Sequence, residues 1–149
     1  MSMRKNILSS LKEAESALDH LMKNEGILET IENAAVSMIK TLKHRGRIFS
    51  CGNGGSMCDA MHFAEELSGR YRKDRPGLAA SAISDPGHIS CVSNDFGYDH
   101  VFSRYLECQG GLNDILLGIS TSGTSRNIIM AEKTARDKGM IIISLTGRE

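Results

Sequence analysis

Excess charge, a membrane-length apolar run, a paired-cysteine pattern and a nucleotide-loop signature are all missing from this 149-residue chain, and each absence excludes something. Eighteen Lys and Arg balance eighteen Asp and Glu, with five His left over, so no basic footprint for nucleic acid or an anionic membrane is present. The longest apolar stretches, around Ile115 to Ile119 and Met140 to Ile143, fall far short of the about 20 residues a membrane span needs. Arg4 and Lys5 stand near the start, but Lys12, Glu13 and Glu15 break any signal-peptide core, and a cytoplasmic protein is expected. Cys51, Cys58, Cys91 and Cys108 lie 7, 33 and 17 apart, which is neither a CxxC pair nor a secreted disulfide framework. Reduced, partly buried thiols are expected. With only two prolines, no polar repeat and 40% hydrophobic residues, the chain carries enough apolar surface to fold as a globular protein. Its length allows one domain.

Hydrophobic spacing divides that domain in two. Ile7, Leu11, Ala14, Leu18 and Leu21 form one helical stripe, which packs either on its own domain or on a partner subunit. A second helix fits Ile27, Ile31, Ala34, Ala35, Met38, Ile39 and Leu42, with Gly46 as its stop. Residues 1–46 are therefore a helical segment. From 47 to 149 short apolar runs alternate with amphipathic ones, the pattern of β-α-β units on a parallel sheet. Strands are predicted near Arg47 to Cys51, Leu78 to Ser84, Ile115 to Ser120 and Met140 to Leu145. Helices are predicted near Met57 to Leu67, Gly97 to Gln109 (with a short turn from His88) and Ser125 to Lys138. Gly69, Gly110 and Gly139 mark helix stops. A parallel sheet needs both faces covered, so the last strand, followed only by Thr146 to Glu149, reads as one lacking its crossover helix. A C-terminally incomplete domain is the expectation.

Two turns at the carboxyl ends of predicted strands sit where open α/β sheets bind ligands. The first is Cys51-Gly52-Asn53-Gly54-Gly55-Ser56, whose glycines let backbone approach a ligand and whose following helix opens with free N–H groups. Met57 stands where a GxGxxG fingerprint needs its third glycine, and no Gly-Lys-Ser/Thr occurs, so the dinucleotide and ATP readings drop. The second turn, Ser120-Thr121-Ser122-Gly123-Thr124-Ser125, places five hydroxyls around one glycine at a helix start. An ordinary N-cap uses one of them. Hydroxyls and N–H groups together surround a phosphate without a lysine, so a small phosphorylated metabolite spanning both turns is expected.

On the helix between them Met57, Ala60, Met61, Ala64 and Leu67 form the apolar stripe, with His62 and Glu66 opposite and one turn apart. That pair is either a solvated surface pair or the reactive one. In the second case Glu66 is a general acid/base, and His62 orients it or joins it in holding a metal. Two ligands are too few for zinc, and His88 and His100 are the further candidates within the chain. Asn94 and Asp95 are placed to hydrogen-bond sugar hydroxyls, as is Asp85, although Asp85-Pro86-Gly87 is equally a turn signature.

Taken in order, the Cys51 to Ser56 turn, Asp59-Ala60-Met61-His62-Phe63-Ala64-Glu65-Glu66-Leu67, Ser93-Asn94-Asp95-Phe96-Gly97 and Gly118-Ile119-Ser120-Thr121-Ser122-Gly123 resemble the phosphoheptose isomerase family. The resemblance implies a single sugar isomerase (SIS) domain over 1–149: a three-layer, Rossmann-like α/β sandwich with a central parallel sheet and N-terminal helices. It implies an aldose–ketose isomerase that converts D-sedoheptulose 7-phosphate to D-glycero-D-manno-heptose 7-phosphate through an enediol, for lipopolysaccharide heptose. Its site would lie between subunits of a homotetramer. Substrate contacts carried over by motif are Asn53, Gly54, Gly55, Glu66, Asn94, Asp95, Ser120, Thr121, Ser122 and Ser125, with Glu66 catalytic. The family pattern also implies one zinc ion per subunit on His62 and Glu66, completed by a Gln and a His expected beyond residue 149. The competing expectation is a non-catalytic module of the same fold that senses a sugar phosphate or binds a partner.

Overall fold

The computed structural model describes residues 2–147; Met1, Arg148 and Glu149 lie outside them. The chain divides into two compact units, Met1–Ser37 and Met38–Glu149. The first holds α1 (Met3–Lys23) and most of α2 (Glu25–Lys43). Its predicted stripe is helical, and Ile7, Leu11, Leu18 and Leu21 on it are exposed. The second unit takes in the last turn of α2, which ends through Arg45 rather than Gly46: Arg45 adopts the left-handed conformation (φ 63°) and the Gly46 N–H bonds back to Thr41 O.

Four parallel strands follow, β1 (Ile48–Gly52), β2 (Ala80–Ala82), β3 (Ile115–Ser120) and β4 (Ile141–Thr146), in the spatial order β2-β1-β3-β4. Ile48 pairs with both Ala80 and Ile115, and Ile115 with Ile141. Side chains alternate across the sheet as the pleat requires. Phe49, Cys51 and Leu116 point into a core with Val92 of α4 (Pro86–Phe96), Phe102 and Leu106 of α5 (Val101–Gln109) and Ile128 of α6 (Arg126–Asp137). Leu117 and Ile119 face the other way, onto Ala60 and Phe63 of α3 (Gly55–Ser68). This is the expected three-layer sandwich, with α3 on one side and α4 to α6 on the other. β4 at the edge is the least covered strand, with Ile141 and Leu145 exposed.

One helix differs from expectation. Residues 86–96 form a full α4 in place of a short turn, with Tyr98–His100 a single 3-10 turn before α5. The cause is Asp85-Pro86-Gly87, which is a helix start: the Asp85 carboxylate accepts from the His88 N–H at 2.7 Å, and Pro86 occupies the first turn, where its missing N–H costs nothing. Asp85 therefore caps a helix. The cysteines differ too, since Cys51 is fully buried whereas Cys58, Cys91 and Cys108 are exposed; all four are free.

The strand order also decides where a ligand fits. From β1 the chain leaves through α3 to one side, and from β3 through α6 to the other, so the crevice between their carboxyl ends is a topological switch point.

Candidate active site

Both predicted turns open onto that crevice. In the first, a Cβ on Gly52 would collide with Ser56 O, so only glycine lets the chain turn back over the start of α3. Gly54, the N-cap of α3, sits at φ 54°, ψ −120°, a region left to glycine, and no side chain caps the helix. In the second, Ser125 holds the N-cap position of α6 yet makes no cap bond. Its hydroxyl instead accepts from Ser120 Oγ at 3.0 Å; Ser122 Oγ lies 3.5 Å from Ser120 Oγ and accepts from the Thr124 N–H and hydroxyl, each at 3.2 Å. Thr121 is exposed at the same turn. Neither N-cap residue, Gly54 or Ser125, thus gives its helix a side-chain bond, and two adjacent helix N-termini opened in this way favour an anionic or oxygen-rich ligand.

Asn53 joins the two turns. Its amide pairs reciprocally with that of buried Asn127 on α6, at 2.9 and 2.8 Å, and its Oδ1 also accepts from the Tyr98 hydroxyl at 3.0 Å. Neither Asn127 nor Tyr98 was singled out by sequence reasoning. A polar residue in a first helical turn reads as solvated, and the partner lies 74 positions away.

Glu66 and His62 meet as expected, Nε2 to Oε1 at 3.3 Å, with Glu66 half-buried and His62 mostly exposed. They border a cleft of about 440 Å³ walled by Phe63, Leu67 and Tyr71. Met61, expected on the apolar stripe, is 47% exposed, because the small Ala60 and Ala64 bring α3 down on the sheet through themselves and Phe63. The helix end that carries Glu66 is held by Arg75, also absent from the sequence reading. Its guanidinium donates to Glu66 O at 2.7 Å, Leu67 O at 2.8 Å and Pro76 O at 3.0 Å. Arg75 stands seven residues past the last residue of α3, outside its last turn, so helix-end spacing in the sequence does not reveal it.

Asn94 and Asp95 lie on the exposed last turn of α4, where Asn94 donates to Asp95 at 2.8 Å. Among the described residues no hydrogen bond links Glu66 to Asn94, Asp95 or either turn. His88 serves its own fold, with Nε2 2.8 Å from Val101 O and its ring edge-on to Tyr105, and it does not join His62. Among the described residues no three His, Cys, Asp or Glu side chains converge for a metal. An imidazole nitrogen beside a carboxylate is a fitting donor set for zinc, but as two ligands of about four.

A family model described as "SIS domain" matches residues 11–147. The phosphoheptose isomerase of Pectobacterium atrosepticum is 59% identical over 143 residues, 96% of this chain and 74% of that one, and that of Enterobacter sp. is 57% identical over the same shares. The chain belongs to the phosphoheptose isomerase family. Solved structures agree: this family's protein from Neisseria gonorrhoeae superposes with a TM-score of 0.92 at 38% identity, over 99% of this chain and 77% of that one. The one from Francisella tularensis gives 0.93 at 33%, over 98% and 76%. Family membership confirms the α/β sandwich read from the sequence and makes the chain an isomerase in kind.

Proposed function

We propose that the chain, as a single SIS domain, binds D-sedoheptulose 7-phosphate and interconverts it with D-glycero-D-manno-heptose 7-phosphate. The observation that carries this reading is the Ser120, Ser122 and Ser125 hydroxyl cluster at the uncapped start of α6, one strand from the uncapped turn of α3. The phosphate sits at Ser120, Thr121, Ser122 and Ser125, held by hydroxyls and N–H groups rather than by cations. The sugar runs toward Asn53, Gly54 and Gly55, whose backbone stands open to a ligand, with Asn94 and Asp95 taking hydroxyls.

Glu66 takes the proton from the carbon beside the carbonyl. The C–H electrons form the C=C bond of an enediol as the C=O π pair moves to oxygen, which takes a proton; the hydroxyl on the deprotonated carbon then loses its proton to become the new carbonyl while the C=C pair takes a proton at the neighbouring carbon. His62 and Glu66 would hold a zinc ion, which supplies charge stabilisation for the oxygens, with further ligands from outside this pair. The exposed stripe of α1 supports a homo-oligomer, a tetramer by the family pattern, whose neighbouring chain covers the outer face of α3. No membrane or nucleic acid takes part, and the site belongs to the cytoplasm.

Calorimetric titration with sedoheptulose 7-phosphate tests the binding, and assay of the heptose product tests the conversion. Binding lost when the phosphate is removed from the sugar, with product formed from the intact one, is the expected result. Equal affinity for the unphosphorylated sugar would contradict the placement. Binding without any exchange of the substrate's carbon-bound hydrogen would favour the sensor module.

A further inference from the structure

We infer that Asn127 and Tyr98 are positioning residues that lock the amide of Asn53 in one orientation, so that the sugar meets a fixed hydrogen-bond donor there. The inference rests on the reading of the two turns as one sugar-phosphate site. Asn127 is 3% exposed, and a buried amide must be paired. A primary amide offers two donors on nitrogen and two lone pairs on oxygen. Asn127 Oδ1 accepts from the Ile128 N–H at 3.0 Å, a backbone group that cannot change sign, so the orientation of this amide is set by its own helix. Its Oδ1 then also takes Asn53 Nδ2 at 2.9 Å, and its Nδ2 donates to Asn53 Oδ1 at 2.8 Å. A flip of Asn53 would set nitrogen against nitrogen and oxygen against oxygen.

The Tyr98 hydroxyl fills the second lone pair of Asn53 Oδ1 at 3.0 Å. That oxygen is now saturated. What Asn53 has left is one N–H, and it acts on a ligand as a donor only. The lock also ties three segments far apart in sequence, the β1 turn, the residues after α4 and the start of α6. The Arg126–Asp99 ion pair at 3.2 Å spans two of the same segments but is exposed, and contributes little.

Five proteins decide it: wild type, Tyr98→Phe, Asn127→Ala, Asn53→Ala and Asn53→Ala/Asn127→Ala, each titrated with sedoheptulose 7-phosphate and with inorganic phosphate. Phosphate alone needs only the serine turn, so its Kd should stay within about twofold, whereas the sugar phosphate should bind roughly tenfold more weakly to Asn127→Ala and a few-fold more weakly to Tyr98→Phe. Adding Asn127→Ala to Asn53→Ala should change nothing further, because the residue acts through Asn53. Equal weakening of both ligands, or additive losses, overturns the inference. Tyr98→Phe removes one exposed hydroxyl and keeps the test open if Asn127→Ala folds poorly. Amide hydrogen exchange provides a readout independent of the sugar: Ser56 and Met57, whose N–H groups donate to Asn53 O and Gly54 O, should exchange about tenfold faster in Asn127→Ala with β3 unchanged. Unchanged exchange at those two amides would overturn the lock, while a wild type that binds phosphate but no sugar phosphate would overturn the proposed function instead.

Discussion

Ser120 donates its hydroxyl hydrogen to Ser125 Oγ at 3.0 Å, and Ser125, although it stands at the N-cap of α6, gives that helix nothing from its side chain. A serine in the preferred capping position that turns away from the helix leaves the helix N-terminus to an outside acceptor. Ser125→Ala should therefore weaken phosphate binding about tenfold while the Ile128 and Ile129 amides, bonded to Ser125 O, keep their exchange protection. Stability should fall by about 1 kcal/mol, the worth of one side-chain hydrogen bond. Fraying of α6 with unchanged phosphate affinity would make Ser125 an ordinary cap.

Arg75 closes the end of α3 that carries Glu66, using both terminal guanidinium nitrogens on separate carbonyls. A lysine has the charge without the planar fork. Arg75→Lys and Arg75→Ala should each lower stability in urea by about 1–3 kcal/mol and lower turnover more than affinity. A lysine variant indistinguishable from wild type would reduce Arg75 to a surface charge.

The parts of this fold written locally were legible. Strands β1, β3 and β4 appear as short apolar runs between turn residues, and both glycine and hydroxyl turns fall where their strands end. What was not legible depends on distance or on a double meaning. Asp85-Pro86-Gly87 is both a turn and a helix start, and the polar run Ser90 to Asp95 shows too weak a stripe to choose between them. The Asn53–Asn127 pair unites residues 74 apart, so neither position announces the other. Met61 has helical spacing that fits a buried face, but alanines on the same helix take the contact. Cys58, Cys91 and Cys108 lie on helix surfaces, a placement that composition does not encode.

His62 and Glu66 present two of the ligands a zinc ion needs. Elemental analysis of protein purified without chelator should find about one zinc per chain, lost in His62→Ala and in Glu66→Gln. Metal-free wild type with intact activity would leave the pair as an acid/base couple alone.

Burial pushes the Cys51 thiol up, and the charge of Glu132 pushes it the same way. In the unfolded chain that thiol ionises at about pH 8.5. Above that pH the unfolded state sheds a proton the native state keeps, so this group makes stability fall as pH rises, and contributes no such slope below it. Cys51→Ala should flatten the alkaline decline in Tm. Native protein should also react with a thiol reagent at Cys58, Cys91 and Cys108 and spare Cys51 until it unfolds. Fast labelling of Cys51 would contradict its burial.

Removal of a carbon-bound proton by Glu66 is the step on which the account turns, and it can be read without waiting for product. Sedoheptulose 7-phosphate incubated with the protein in deuterium oxide should gain deuterium beside its carbonyl, followed by NMR or mass spectrometry. In Glu66→Gln the rate should drop by roughly 10²–10⁴ while the sugar phosphate still binds. Wild-type exchange retained in Glu66→Gln would contradict the assignment of the proton transfer to this carboxylate.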